Sequence, residues 1–222
     1  MVERQTGENK LNKSALLGHL IHRSRPSHYI STVHLIHEFL FQALWLAWAI
    51  GWLASSRWSS AEKRRQTSRE RRFHLAEMAV AVGLFSFPAL GYGLLGRWIF
   101  PRTEASFMIG AALLVIGLGF TVWARLSLGR NWSGYVTLKA GHRLIVSGPY
   151  ALVRHPIYTG LLCAMLGTTI AIDEWRAVLA LIIATQTFVR KLRLEERWLA
   201  EEFGSEYGTY RNGVKALVPW LI

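Results

Sequence analysis

The chain has 222 residues, 51% of them hydrophobic, and 26 Lys+Arg against 14 Asp+Glu give it a net charge of +12. Its one cysteine, Cys163, excludes an internal disulfide and any site built on paired cysteines. An excess of cations suits anionic lipid headgroups or nucleic acid; here the apolar residues gather into long uncharged runs and no nucleic-acid-binding motif accompanies them, so membrane lipids are the expected partner.

Residues 1–32 are polar to weakly amphipathic. Met1–Lys10 lacks the apolar core of a secretory leader. Leu16, Leu17, Leu20 and Ile21 mark one face of an interfacial helix that Arg25-Pro26-Ser27 would end. Three transmembrane helices are then expected within residues 33–124. The first covers 33–54 and includes sixteen uncharged residues, Phe39 to Ala54, with Trp45, Trp48 and Trp52 among them. The second covers 73–96, with Pro88 as a kink. The third covers 106–124, nineteen residues without a charge. A crossing needs about 20 apolar residues, and a soluble helix seldom lacks a polar face over such a length.

Residues 125–156 form a long glycine-containing connection of the kind that usually carries function. A fourth apolar run follows, Ile157–Ile172, and after Asp173-Glu174 a fifth, Ala177–Val189. Two short runs joined by an acidic turn predict a helical hairpin. Apolar positions Leu192, Leu194, Trp198, Leu199 and Phe203 carry the helical period onward, which predicts a cytoplasmic amphipathic helix ending near Phe203-Gly204. The expected fold is therefore an all-α integral membrane protein of about five transmembrane helices, one domain overall, with residues 125–222 as the cofactor-binding loop, hairpin and catalytic region. With five crossings, the segments on the N-terminal side carry 5, 2 and 1 Lys+Arg, against 7, 5 and 6 on the other side. That imbalance puts the long connection and the C-terminus in the cytoplasm.

The candidate chemistry lies in Gly148-Pro149-Tyr150 and Arg154-His155-Pro156-Ile157-Tyr158-Thr159-Gly160. Pro156 fits the first turn of the fourth helix, and helix-terminal N–H groups beside Arg154 and His155 favour an anionic ligand group. The same residues also suit a headgroup anchor. Glu195-Glu196 stands at the foot of the fifth helix among Lys191, Arg193 and Arg197, an arrangement that also occurs as a solvated charged face. Tyr207 and Tyr210 follow at a spacing that fits an interfacial aromatic belt.

In this order and spacing, Gly-Pro-Tyr, Arg-His-Pro-x-Tyr-x-Gly, an apolar hairpin, Glu-Glu-x-x-Leu and Phe-Gly-x-x-Tyr-x-x-Tyr resemble the isoprenylcysteine carboxyl methyltransferase family, related to the phospholipid N-methyltransferases. The resemblance covers about 125–222. It implies a membrane-embedded enzyme that uses S-adenosyl-L-methionine and no metal, with its site facing the cytoplasm. It implies cofactor contacts at His142, Leu144, Ile145, Tyr150, His155, Pro156, Ile157, Tyr158 and Glu195. It implies positioning by Arg154, His155 and Tyr158, and a substrate contact at Lys191, where eukaryotic members usually have arginine. Arg190 or Arg193 would be the alternative guanidinium. The implied acceptor is lipophilic or lipidated. A carboxylate acceptor needs only positioning and exclusion of water; an amine, as in a phospholipid N-methyltransferase, would need a base such as His142, His155 or Glu196. A membrane NAD(P)H-dependent reductase of a lipophilic substrate and a non-catalytic scaffold are the competing readings. His19, His22, His28, His34 and His37 have no zinc-site spacing, and no metal is expected.

Overall fold

A computed structural model describes residues 32–56, 62–65, 67–100, 103–129, 137–139 and 144–218. The expected N-terminal interfacial segment, the histidines before residue 32 and His142 lie outside them, as do the side chains of His34 and His37. Among the described residues, five long helices run α1 (Thr32–Ser56), α2 (Ser68–Ser86), α3 (Glu104–Leu128), α4 (Pro156–Ile172) and α5 (Trp175–Gly213). The chain divides after Leu40, and Phe41 onward forms one compact unit. Glu104–Leu128 is long and apolar enough to cross a membrane; Phe39–Ser55 and Pro156–Ile172 are shorter apolar helices.

Helix starts follow local chemistry. Thr67 and Glu70 form a reciprocal capping box on α2, as do Thr103 and Ser106 on α3. Pro156 opens α4, where its missing N–H leaves no bond unmade. The second helix departs from expectation. Pro88 ends it instead of kinking it: Phe87 is extended, as residues before proline tend to be, and Pro88–Leu90 continues as a single 3-10 turn.

The fifth helix departs too. Gly204 interrupts it at φ 52°, a conformation that glycine takes without a Cβ clash, but helical backbone resumes and runs to Gly213. The expected stop at Phe203-Gly204 is thus a break within a longer element. A second addition is a two-stranded antiparallel pair, β1 (Glu62–Arg65) with β2 (Thr137–Lys139). It joins the α1–α2 and α3–α4 connections, so α1 and α3 end on the same side. Arg125 of α3 makes the same tie, donating to the Ser55 carbonyl at the end of α1 and to Gly129 O, both at 2.7 Å.

Helices α3 and α4 pack antiparallel with almost no side chain between them. Gly110 faces Gly167, and Gly117 faces Gly160. A Cβ at Gly110 would lie 2.6 Å from Gly167 O, and one at Gly160 would lie 2.6 Å from Gly117 O. Small residues at seven-residue spacing on both helices permit this backbone contact. Trp45 and Trp48 of α1 anchor to the pair, donating indole N–H to Thr168 Oγ1 at 3.0 Å and Thr121 Oγ1 at 2.7 Å. The outer surfaces remain apolar: Leu46, Ile50 and Leu53 of α1 and Ile109, Val115 and Ile116 of α3 are exposed.

The α4–α5 turn is not a solvated acidic corner. Asp173, Glu174 and Arg176 are all buried. Arg176 donates from Nε to Glu174 at 2.6 Å and from Nη1 to the Leu84 and Phe85 carbonyls at 2.5 and 3.1 Å. It therefore caps the last turn of α2. Asp173, held left-handed at φ 53°, accepts from the Phe100 N–H at 3.1 Å. The 88–100 connection folds back over the turn, so its amides and carbonyls replace water.

Candidate functional site

At the opposite end, the start of α4, the 3-10 turn Gly148–Ala151, the lower half of α5 and the chain after Gly204 meet. The α4 entry supplies Arg154, His155 and Tyr158; α5 supplies Lys191, Glu195 and Glu196 one and two turns below its apolar stretch. All six were legible as candidates, and the fold brings them together.

His155 is 7% exposed and wedged between two carboxylates. Its Nδ1 lies 3.5 Å from Glu195 Oε2 and its Nε2 3.3 Å from Glu196 Oε1. Burial disfavours the imidazolium, but hydrogen bonds to Glu195 and Glu196 and their charges outweigh it, so its pKa is raised. Burial likewise pushes the carboxylates up, and again their partners win. His155, Lys191 and Tyr158 hold Glu195 below the usual range, while His155 and Arg154 bring Glu196 down to about 2. Two carboxylates facing one imidazole favour its protonated form.

Glu195 also accepts from the Tyr158 hydroxyl at 2.6 Å and keeps 26% of its side chain accessible. The Tyr158 ring stacks between His155, centroids 5.8 Å apart, and Phe188, at 5.3 Å. Lys191 Nζ stands 5.7 Å from the same ring's centroid. Burial lowers the Lys191 pKa, and the charge of Glu195 opposes that. Tyr158 is thus the hub on which a histidine, a lysine and a glutamate converge.

Other candidates fall differently. Tyr150 and Pro156 are buried, Leu144, Ile145 and Ile157 half-buried. Arg190 is committed to α2: it pairs with Glu77, which also accepts from Thr187 Oγ1 at 3.0 Å, and its guanidinium sits over Phe73 at 5.3 Å. Arg193 is exposed. The backbone N–H groups of Arg154 and His155, just before the helix, are bonded within the chain, Arg154 N to Lys215 O at 2.8 Å and His155 N to Ala216 O at 3.0 Å.

Residues 214–217 are the part of the site that the sequence reading missed. They form a strap along the α4 entry, and Thr159 Oγ1 donates to Leu217 O at 2.7 Å. Tyr207 and Tyr210 belong here as well, not to an aromatic belt. The break at Gly204 turns them inward: Tyr207 is 1% exposed, and the Tyr210 hydroxyl donates to Tyr150 O at 2.6 Å. A glycine three residues before an aromatic pair was the available signal. Among the described residues, no group of three or more His, Cys, Asp or Glu could hold a metal ion.

The phospholipid methyltransferase family model matches residues 105–206. A protein-S-isoprenylcysteine O-methyltransferase of Saccharomyces cerevisiae is 28% identical over 122 residues, 54% of this chain and 51% of that protein. Protein-S-isoprenylcysteine O-methyltransferase B of Arabidopsis thaliana is 25% identical over 115 residues, 50% of this chain and 58% of that one. A cobalt-zinc-cadmium resistance protein of Cupriavidus metallidurans is 31% identical over 128 residues, 57% and 53% of the two chains. The solved structure of a eukaryotic intramembrane Ras methyltransferase, isoprenylcysteine carboxyl methyltransferase, is similar at 25% identity and a TM-score of 0.49, over 70% of this chain and 54% of that one. The chain spans about half the length of the curated relatives it matches.

Proposed function

We propose that the chain is a member of the isoprenylcysteine carboxyl methyltransferase family, an integral membrane methyltransferase that uses S-adenosyl-L-methionine and methylates a lipophilic acceptor through a carboxylate. The observation that carries this reading is the convergence of His155, Tyr158, Lys191 and Glu195 at one end of an apolar bundle. Five crossings, with this end in the cytoplasm, are part of the same proposal. The tie between β1 and β2 supports it, since the two most basic connections lie on the side of the site.

The donor set fits the cofactor. Glu195, ionised and partly accessible, offers an acceptor for ribose hydroxyls or an ammonium group. Of the two tyrosines that could face a sulfonium, Tyr158 has its ring stacked between His155 and Phe188, which leaves Tyr150 for that role. Leu144, Ile145 and Ile157 add half-buried apolar surface. When bound, the sulfonium supplies an activated methyl group. The chain's own residues have to orient the acceptor in line with it and keep water out, which close positioning achieves without a proton transfer.

Lys191 is the substrate cation in this proposal, since Arg190 is engaged by Glu77 and Arg193 faces outward. A carboxylate acceptor suits the site better than an amine. An amine needs a base, whereas a carboxylate needs only positioning, and both ring nitrogens of His155 already face carboxylates.

Saturable binding of S-adenosylhomocysteine to the purified protein in detergent or bilayer is the test. Glu195→Ala or His155→Ala should weaken it at least tenfold, about 1.4 kcal/mol. Lack of saturable binding, or preference for NADPH, would sink the proposal. Transfer of labelled methyl to prenylcysteine analogues, compared with phospholipid amines, decides the acceptor.

A further inference from the structure

Arg154 stands where three segments meet, and its guanidinium bonds one carboxylate and two backbone carbonyls. Its Nε and Nη2 donate to Glu196 Oε1 at 2.9 and 2.6 Å. Its Nη1 donates to the Arg211 carbonyl at 3.1 Å and to the Val214 carbonyl, and its backbone N–H to Lys215 O. The side chain is 9% exposed. A guanidinium spreads five donors over a planar fork and so spans a carboxylate and two carbonyls set apart; an ammonium offers three from a single nitrogen.

The groups it holds are those that hold His155. Glu196 Oε1, fixed by two bonds from Arg154, is also the atom facing His155 Nε2. The strap whose Val214 carbonyl it binds gives Ala216 O to the His155 N–H. The strap lies beyond the segment that matches the family model, which ends at residue 206. Resting on the methyltransferase reading, we propose that Arg154 is a positioning residue for His155. It clamps Glu196 and the 214–217 strap so that the imidazole is held from both its ring and its backbone, and it does not touch the ligand.

Two readouts test this. The first needs no ligand: the 15N resonances of labelled histidine in the full chain, with His155 identified through His155→Gln. Arg154→Gln should move the His155 Nε2 resonance; an unchanged resonance overturns the proposal. The second is binding of S-adenosylhomocysteine to Arg154→Gln, Glu196→Gln and the double variant. Each single change should weaken binding about tenfold, with the double within about twofold of the worse single, because both break one unit. Losses that multiply, to about a hundredfold, would make Arg154 a direct contact and overturn it. Arg154→Lys, which keeps the charge and guards against a folding failure, should fall between wild type and Arg154→Gln; wild-type binding in either variant overturns the proposal. If the wild type binds no S-adenosylhomocysteine while the resonance moves, the clamp stands and the methyltransferase reading fails.

Discussion

The two ends of the bundle use the same side-chain chemistry to opposite effect. At the hairpin end, Asp173, Glu174 and Arg176 are buried and answered largely by backbone: the Leu84 and Phe85 carbonyls and the Phe100 amide. At the other end, His155, Lys191, Glu195 and Glu196 answer one another side chain to side chain, and Glu195 remains partly open. Backbone partners cannot leave, so the first cluster is a staple. Side-chain partners can be exchanged for a ligand's groups, so the second is the candidate site. Buried charge alone does not distinguish the two; the identity of the partner does.

The largest expected effect breaks the staple. Arg176→Ala leaves Glu174 buried without its cation and uncaps α2, costing about 3–5 kcal/mol of stability by thermal or denaturant unfolding. Cofactor affinity of the fraction that remains folded should change little.

Next come the glycines that join the ends. Gly160→Ala and Gly167→Ala each push a methyl into the facing backbone, and each should cost about 1–3 kcal/mol. Only Gly160→Ala, two residues from Tyr158, should also weaken S-adenosylhomocysteine binding by several-fold in a titration. Equal effects on binding would erase the distinction between the ends.

The pH dependence is a smaller effect. The raised pKa of His155 contributes stability that is fully present below its unfolded value of about 6.5 and is lost as pH rises through the folded value. The depressed pKa of Glu196 contributes stability present above about 4.5 and lost as pH falls toward about 2. The site end should therefore be most stable between those limits, and His155→Gln should flatten the alkaline decline in unfolding measured against pH. Arg193→Gln should do least, within about 0.5 kcal/mol and without loss of binding, since its side chain is exposed.

Much of this was legible in the sequence because it is local. Pro156 fixed the start of α4, and the four-residue step from Lys191 to Glu195 put both on one helical face. What escaped was whatever depends on a distant carbonyl. Nothing near Arg176 announces that Leu84 needs a donor 92 positions away. Nothing near Arg154 announces a strap some 60 residues on. Pro88 was misread for a related reason: whether a proline kinks or ends a helix depends on whether neighbouring structure answers the freed carbonyls, and here Arg176 takes two of them.

The glycine contact between α3 and α4 sets a mechanical condition on the site. With backbone against backbone at Gly117 and Gly160, α4 has no room to slide or roll, so the His155–Tyr158 face is a fixed jaw. Under the proposed methyltransferase function, acceptors of different bulk would then be accommodated by the other jaw, the Lys191–Glu195 stretch of α5, which meets α4 through longer side chains. Substrate range in this protein would accordingly be tuned by changing residues of α5 and left alone by changes to α3.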